Sequence, residues 1–323
     1  MQIDKHQLQT IMRDTGNGRL QSIAWLADGY YSRAYQITTN KALYVLLERK
    51  HNNQSADAFR RHYATLKYLE KLSYRHAPRP IYLSQDGGIL ITTKLSGRTA
   101  QDLSFLSESK QKQVAFNILD AMSELDGVTY ESFVETFQDL NIALPEISDQ
   151  ESDYQTYVID SFYPYKDFVS DKALVRWLEN VITHFRPQFI KGDQKVFWHG
   201  DPSGGNILVD DELNIGLIDW TLARFVIVAE GRNDYGLSYM SNHVPVIDKY
   251  SAVLSEDLIH KYHLDRSSFN KLIYANKKLS KLSDVCWAFK MYAQTLHKDI
   301  IENPSVYKDI LEQRIRFYER TFQ

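Results

Sequence analysis

Apolar and polar positions alternate at residues 22–27, 32–39 and 42–49, with Asp28-Gly29-Tyr30-Tyr31 between the first two runs. A period of two, broken by turn formers, predicts an antiparallel meander. The period then changes. Residues 57–72 repeat at helical spacing, with Phe59, Tyr63, Leu66, Leu69 and Leu72 on one side. Two further short runs, 77–84 and 87–95, flank Asp86-Gly87-Gly88 and predict a hairpin. A short amphipathic helix is expected over residues 4–15. Five strands with one helix inserted after the third describe an α+β lobe, which ends near Leu95-Ser96-Gly97.

Beyond that point the pattern is mostly helical. Amphipathic helices are predicted over 107–125 and 171–185, with an irregular, aromatic-rich stretch over 131–165 between them. Two strand-like stretches interrupt the helices. One is 195–201; the other is 206–220, turning at Asp210-Asp211 and able to fold back beside the first. Residues 234–323 read as mostly helical. A chain of 323 residues is long for one simple core, so two lobes are expected, 1–97 and 98–323.

Composition narrows the function classes. Hydrophobic residues at 43% and charged residues at 24% argue against disorder. No apolar run approaches the ~20 residues that span a bilayer, and the opening sequence has no apolar signal core, so neither a membrane nor a secretory route is expected. The lone Cys286 excludes an intrachain disulfide, which fits the cytoplasm. Its apolar neighbours mark it as core. Charge is uneven: through Gly97 there are 14 Lys and Arg against 7 Asp and Glu, and afterwards 24 against 34. A basic first part suits a polyphosphate and an acidic second part a cationic partner. No basic stripe interleaved with aromatics is present, so nucleic acid is not an expected partner.

The chemistry concentrates in Phe197-Trp198-His199-Gly200-Asp201-Pro202-Ser203-Gly204-Gly205-Asn206-Ile207-Leu208 and Leu217-Ile218-Asp219-Trp220. Asp201 follows an apolar strand and opens a glycine-rich loop. Asn206 starts the next strand, and Asp219 ends another. Two carboxylates and an amide can converge there, an oxygen set that suits Mg²⁺ held together with substrate phosphates.

His-Gly-Asp, four residues, Asn, and a hydrophobic run closing on Ile-Asp-Trp resemble the signature of the aminoglycoside phosphotransferase and choline kinase superfamily. Its logic is similar to the catalytic loop and metal-binding aspartate of protein kinases. The resemblance implies a protein-kinase-like two-lobed α+β fold, with a five-stranded antiparallel sheet and one helix in the first lobe and a larger, mostly helical second lobe. It implies transfer of the γ-phosphoryl of ATP or GTP to a hydroxyl of a small-molecule acceptor, with Mg²⁺. Asp201 matches the catalytic base, Asn206 and Asp219 match the metal ligands, and His199 matches a structural motif histidine. Gly29-Tyr30-Tyr31-Ser32-Arg33 falls where the family turns two strands over the phosphates, which makes Ser32 a phosphate-contact candidate. Residues 91–95 match the linker whose backbone meets adenine, which singles out Thr93 and Leu95.

The chain also departs from that pattern. Family members usually carry Lys or Arg in the third strand, paired with a helix Glu; here Leu47 and His62 stand at those positions. Arg49 shares the strand face of Leu47 and is the candidate substitute cation; alternatively the pair is lost and nucleotide is held more weakly. Asp234 sits two residues early for the family's later Asp-Leu-Ala triplet and is read as structural. The expected acceptor is a cationic amino-sugar or amino alcohol. The alternatives are a macrolide or neutral sugar, or a nucleotide-binding pseudokinase that regulates rather than catalyses.

Overall fold

A computed structural model describes residues 4–29, 32–50, 57–185, 193–228, 232–297 and 303–322. Tyr30 and Tyr31 of the expected phosphate turn, and the side chain of Asp234, lie outside the described set.

Helix α1 (Lys5–Asp14) begins at Asp4, whose carboxylate accepts the Gln7 N–H at 2.8 Å in a capping box. Strands β1 (Leu20–Asp28), β2 (Ser32–Thr39) and β3 (Leu43–Arg49) form the meander. Helix α2 (Asp57–Lys71), β4 (Pro80–Leu83) and β5 (Ile89–Thr93) follow. The five strands are antiparallel in the order β1-β2-β3-β5-β4. Strand alternation sends Tyr44 and Leu46 into a core with Leu8 and Met12 of α1, so Leu47 and Arg49 take the opposite face.

Helix α2 departs from its one-sided prediction. Leu72 lies past its end and is exposed, while His62, Thr65 and Tyr68 are buried along with Phe59, Leu66 and Leu69. The helix has neighbours on more than one side, including β4 and the turn at Trp220.

The remaining elements are β6 (Arg98–Thr99), α3 (Glu108–Ser123), α4 (Tyr130–Asp139), α5 (Gln150–Tyr154), α6 (Asp160–Phe162), α7 (Lys172–His184), β7 (Gln194–Trp198), β8 (Ile207–Val209), β9 (Ile215–Leu217), β10 (Arg224–Val228), α8 (Arg232–His243), α9 (Pro245–Tyr262), α10 (Arg266–Leu296) and α11 (Pro304–Phe322). The stretch expected to be irregular, 131–165, is largely helical. Phe133 and Phe137 stand one turn apart with ring centres 4.5 Å apart and planes tilted by 41°, and a π-helical turn (Gln155–Ile159) carries the chain from α5 into α6. The helices there are short and interrupted, so no helical period is established along the sequence. The expected strand pairing also changes. Strand β8 pairs with β9 on one side and β6 on the other, whereas β7, which leads to Asp201, pairs with β10.

The fold is thus α+β, with an N-terminal five-stranded antiparallel sheet and a mostly helical remainder. The chain packs as two compact units: Met1–Glu146 with Phe197–Phe225, and Ile147–Val196 with Val226–Gln323. The first unit holds the sheet and the Asp201 and Asp219 loops. The second has a core from Val158 and Phe162 through Leu178 to Phe289, and Cys286 is fully buried in it. Among the described residues no helix is long and apolar enough to cross a membrane.

Candidate active site

The loops that carry Asp201, Asn206 and Asp219 meet because the backbone of Ile218 is tied at both polar atoms. Its N–H donates to the Asn206 carbonyl at 2.9 Å, and its carbonyl accepts from His199 Nε2 at 3.0 Å. The other ring nitrogen of His199, Nδ1, accepts the Asp201 N–H at 3.3 Å, so one buried imidazole joins the two loops. Gly200 makes the loops' close approach possible: its φ is +92°, and a Cβ there would sit 2.1 Å from the Leu222 carbonyl oxygen.

Asn206 has a defined orientation. Its Nδ2 donates to the Asp201 carbonyl at 3.0 Å and to Asp201 Oδ2 at 2.9 Å, and only the amide NH₂ can serve two acceptors. Oδ1 is the atom that remains for a cation. Asp219 takes a left-handed backbone, φ 59° and ψ 69°, and its Oδ1 accepts the Thr221 hydroxyl at 2.6 Å. Beneath this loop Trp220 is fully buried, donates Nε1–H to the Leu217 carbonyl at 2.9 Å, and stacks on Phe197 at 10°.

Two histidines lie under the loops. His62 of α2 accepts the Trp220 N–H at Nε2, 3.3 Å, and its Nδ1 is 3.4 Å from Thr221 Oγ1. Burial pushes its pKa down to about 4, opposed by the Asp219 carboxylate and reinforced by His199. Burial also lowers His199, against the pull of Asp201 and Asp219. Both imidazoles are neutral near pH 7. The His62–Trp220 bond spans 158 residues, so no local sequence signal announces it. Nothing local in the sequence marks the Thr221 contact with His62 either.

The sheet brings Ser32 and Arg49 together as directly paired positions on β2 and β3, on the Leu47 face. The Arg49 N–H donates to the Gly88 carbonyl, and its charge helps lower the Asp86 carboxyl, after hydrogen bonds from Ser84 and Gly88. Lys50 pairs instead with Asp28 at 2.7 Å. Thr93 has its N–H and hydroxyl engaged with the backbone of Arg79, which leaves its carbonyl as the group to offer a ligand. Leu95 packs on Gly216, where a Cβ would lie 2.9 Å from Leu95 Cδ1.

No group of three or more His, Cys, Asp or Glu side chains among the described residues is arranged to hold a metal unaided. The donor set of Asp201, Asn206 and Asp219 fits Mg²⁺ all the same, because that ion commonly takes one or two carboxylates and completes its shell with phosphates and water.

A sequence profile described as the Phosphotransferase enzyme family matches residues 22–230, more than half of the chain. Among solved structures, the gentamicin complex of APH(2")-IIa is 16% identical, with 98% of this chain and 96% of that one covered at a TM-score of 0.62. ADP-bound aminoglycoside phosphotransferase APH(2'')-Ib is 16% identical over 97% of both chains, with a TM-score of 0.58. A choline/ethanolamine kinase family protein from Mesorhizobium loti is 14% identical over 93% and 87%, with a TM-score of 0.54. At these identities the likeness is one of fold. No curated protein matches the chain.

Proposed function

Because the chain belongs to the phosphotransferase enzyme family, we propose that it moves the γ-phosphoryl of ATP or GTP to a hydroxyl of a small cationic acceptor, an amino-sugar or amino alcohol. The observation that carries this reading is the convergence of Asp201, Asn206 and Asp219 through Ile218. In this reading residues 1–97 serve the nucleotide and residues 98–323 catalysis and the acceptor, in the cytoplasm.

Asp201 is the base. Asn206 fixes one of its carboxylate oxygens, so the side chain is oriented before the acceptor arrives. The acceptor hydroxyl gives its proton to Asp201 as its oxygen bonds to the γ-phosphorus. The bond to the bridging oxygen breaks, and ADP or GDP leaves. Asn206 Oδ1 and Asp219 hold Mg²⁺, which when bound neutralises phosphate charge. Ser32 and Arg49 face the phosphates, and the Thr93 carbonyl and Leu95 N–H face adenine. The acidic balance after Gly97 supports a cationic acceptor.

Leu47 and His62, at the positions of the expected ion pair, favour a second reading in which the chain binds nucleotide as a regulator. A screen of amino-sugars, amino alcohols, macrolides and neutral sugars with ATP or GTP and Mg²⁺, read as nucleoside diphosphate release, separates the readings. Transfer to a cationic acceptor that Asp201→Ala abolishes is the expected result. Transfer to neutral acceptors alone moves the macrolide or sugar reading ahead, and nucleotide binding without transfer supports the regulator.

A further inference from the structure

Both nitrogens of His62 end on the two residues that follow Asp219. Trp220 N–H donates to Nε2, so Nδ1 carries the imidazole proton and donates to Thr221 Oγ1. The threonine hydroxyl has one proton, which goes to Asp219 Oδ1 at 2.6 Å. The donors therefore run in one direction: His62 to Thr221 to Asp219. His62 is 2% exposed, so water has little access to replace either contact.

The arrangement answers a need of the Asp219 backbone. A φ of 59° is sparsely populated for a non-glycine residue, and although aspartate enters it more readily than most, surrounding contacts help to hold it there. The Trp220 N–H belongs to the peptide immediately after Asp219, and its bond to His62 fixes that peptide's orientation. The hydroxyl relay then fixes the carboxylate. One side chain of α2 thus holds both the main chain and, through Thr221, the side chain of Asp219.

We propose that His62 is a positioning residue that ties helix α2 to the Asp219 carboxylate and aims it at the metal–nucleotide. The inference rests on the reading of Asp219 as a metal ligand. Residues that orient a ligand from behind commonly change metal affinity 10- to 100-fold when removed. His62→Leu keeps the apolar bulk and loses both contacts. His62→Gln retains one acceptor and one donor.

The test is Mn²⁺ binding in the presence of ADP, followed by electron paramagnetic resonance and calorimetry and so independent of turnover. In His62→Leu, Mn²⁺ affinity is expected to fall about tenfold while metal-free ADP affinity holds, and His62→Gln recovers most of the loss. Thr221→Val, at a partly exposed position, is expected to lose a similar factor, and the double variant with His62→Leu less than the product of the two. Asp219→Ala separates the two levels of the argument. If it leaves Mn²⁺ affinity unchanged, the ligand reading fails first. If it abolishes binding while His62→Leu and Thr221→Val bind as the parent does, the positioning role is overturned. Should His62→Leu not fold, Thr221→Val and His62→Gln decide: parent-like Mn²⁺ affinity in Thr221→Val overturns the relay.

Discussion

Each compact unit buries polar groups, and it finishes them differently. In the first unit His62 and His199 each have a contact at both ring nitrogens, and those contacts end on Asp201, Ile218, Trp220 and Thr221. In the second, α8, α10 and α11 enclose Lys281, 3% exposed, with Nζ 3.0 Å from the Asn242 carbonyl and 3.6 Å from the Phe317 ring centre. In the same unit Asn242 Oδ1 and Asn276 Nδ2 are buried with no hydrogen bond. A polar network pays its desolvation cost only when every member is satisfied, and then it also specifies geometry. The first unit meets that condition at its two histidine rings, though not throughout, since Arg61 Nε and Thr65 Oγ1 of α2 are also buried with no hydrogen bond. The second does not, and its buried polarity is expected to cost stability without fixing a reactive group.

The comparison breaks most sharply at Asp201. Asp201→Ala is expected to lower kcat by about 10²–10⁴, the range typical of a lost general base, with little change in thermal midpoint. A similar loss from any substitution around Lys281 would end the contrast.

Acid is the next test. Burial depresses the folded pKa of both histidines, His62 to about 4, below the ordinary value of 6.5. Between about 4 and 6.5 the unfolded chain binds a proton that folded His62 refuses, so stability is full above the upper limit and falls as pH drops through that window. Thermal midpoints measured from pH 7 to 4 should show the decline, and His62→Gln should flatten it. A parent curve already flat over that range would contradict the assignment.

Lys281 predicts a gain. Burial lowers its pKa to about 8, so the folded state holds the charge at a cost below that pH. The cost fades as pH rises from about 8 toward 10.5, where only the unfolded chain remains protonated. Lys281→Met is expected to stabilise the protein by about 1–2 kcal/mol at pH 7, a margin that narrows above pH 8. Chemical denaturation at pH 7 and 10 checks the amount and the direction. The smallest effect belongs to the first sheet: Arg49→Ala is expected to raise nucleotide KM about tenfold, as for loss of a charge-assisted contact. Lys50→Ala, which removes a partner of Asp28 on the opposite strand face, should change it little.

The parts legible in the sequence share a short range. The meander, the α2 insertion and helix α1 follow from periods and turn residues within about a dozen positions. Asp201 and Asn206 lie in one loop, and Asp219 closes the adjoining hairpin, so their roles could be proposed from a motif. The α4–α6 region is not legible because its helices are 10, 5 and 3 residues long and a π-helical turn separates the last two, which is too brief for a period to show. The His62 contact was hidden for another reason. A histidine in an amphipathic helix carries no mark of the residue 158 positions away that its ring will meet.

The left-handed backbone of Asp219 has a consequence for engineering. That conformation costs most residues about 1–2 kcal/mol; aspartate bears it better than most, but glycine bears it best. A redesign that scored only thermodynamic stability would therefore favour glycine at the position the proposed chemistry can least spare. Thermostabilising libraries of this chain need residue 219 held fixed, and a screen that reads melting temperature alone will tend to enrich folded, inactive proteins.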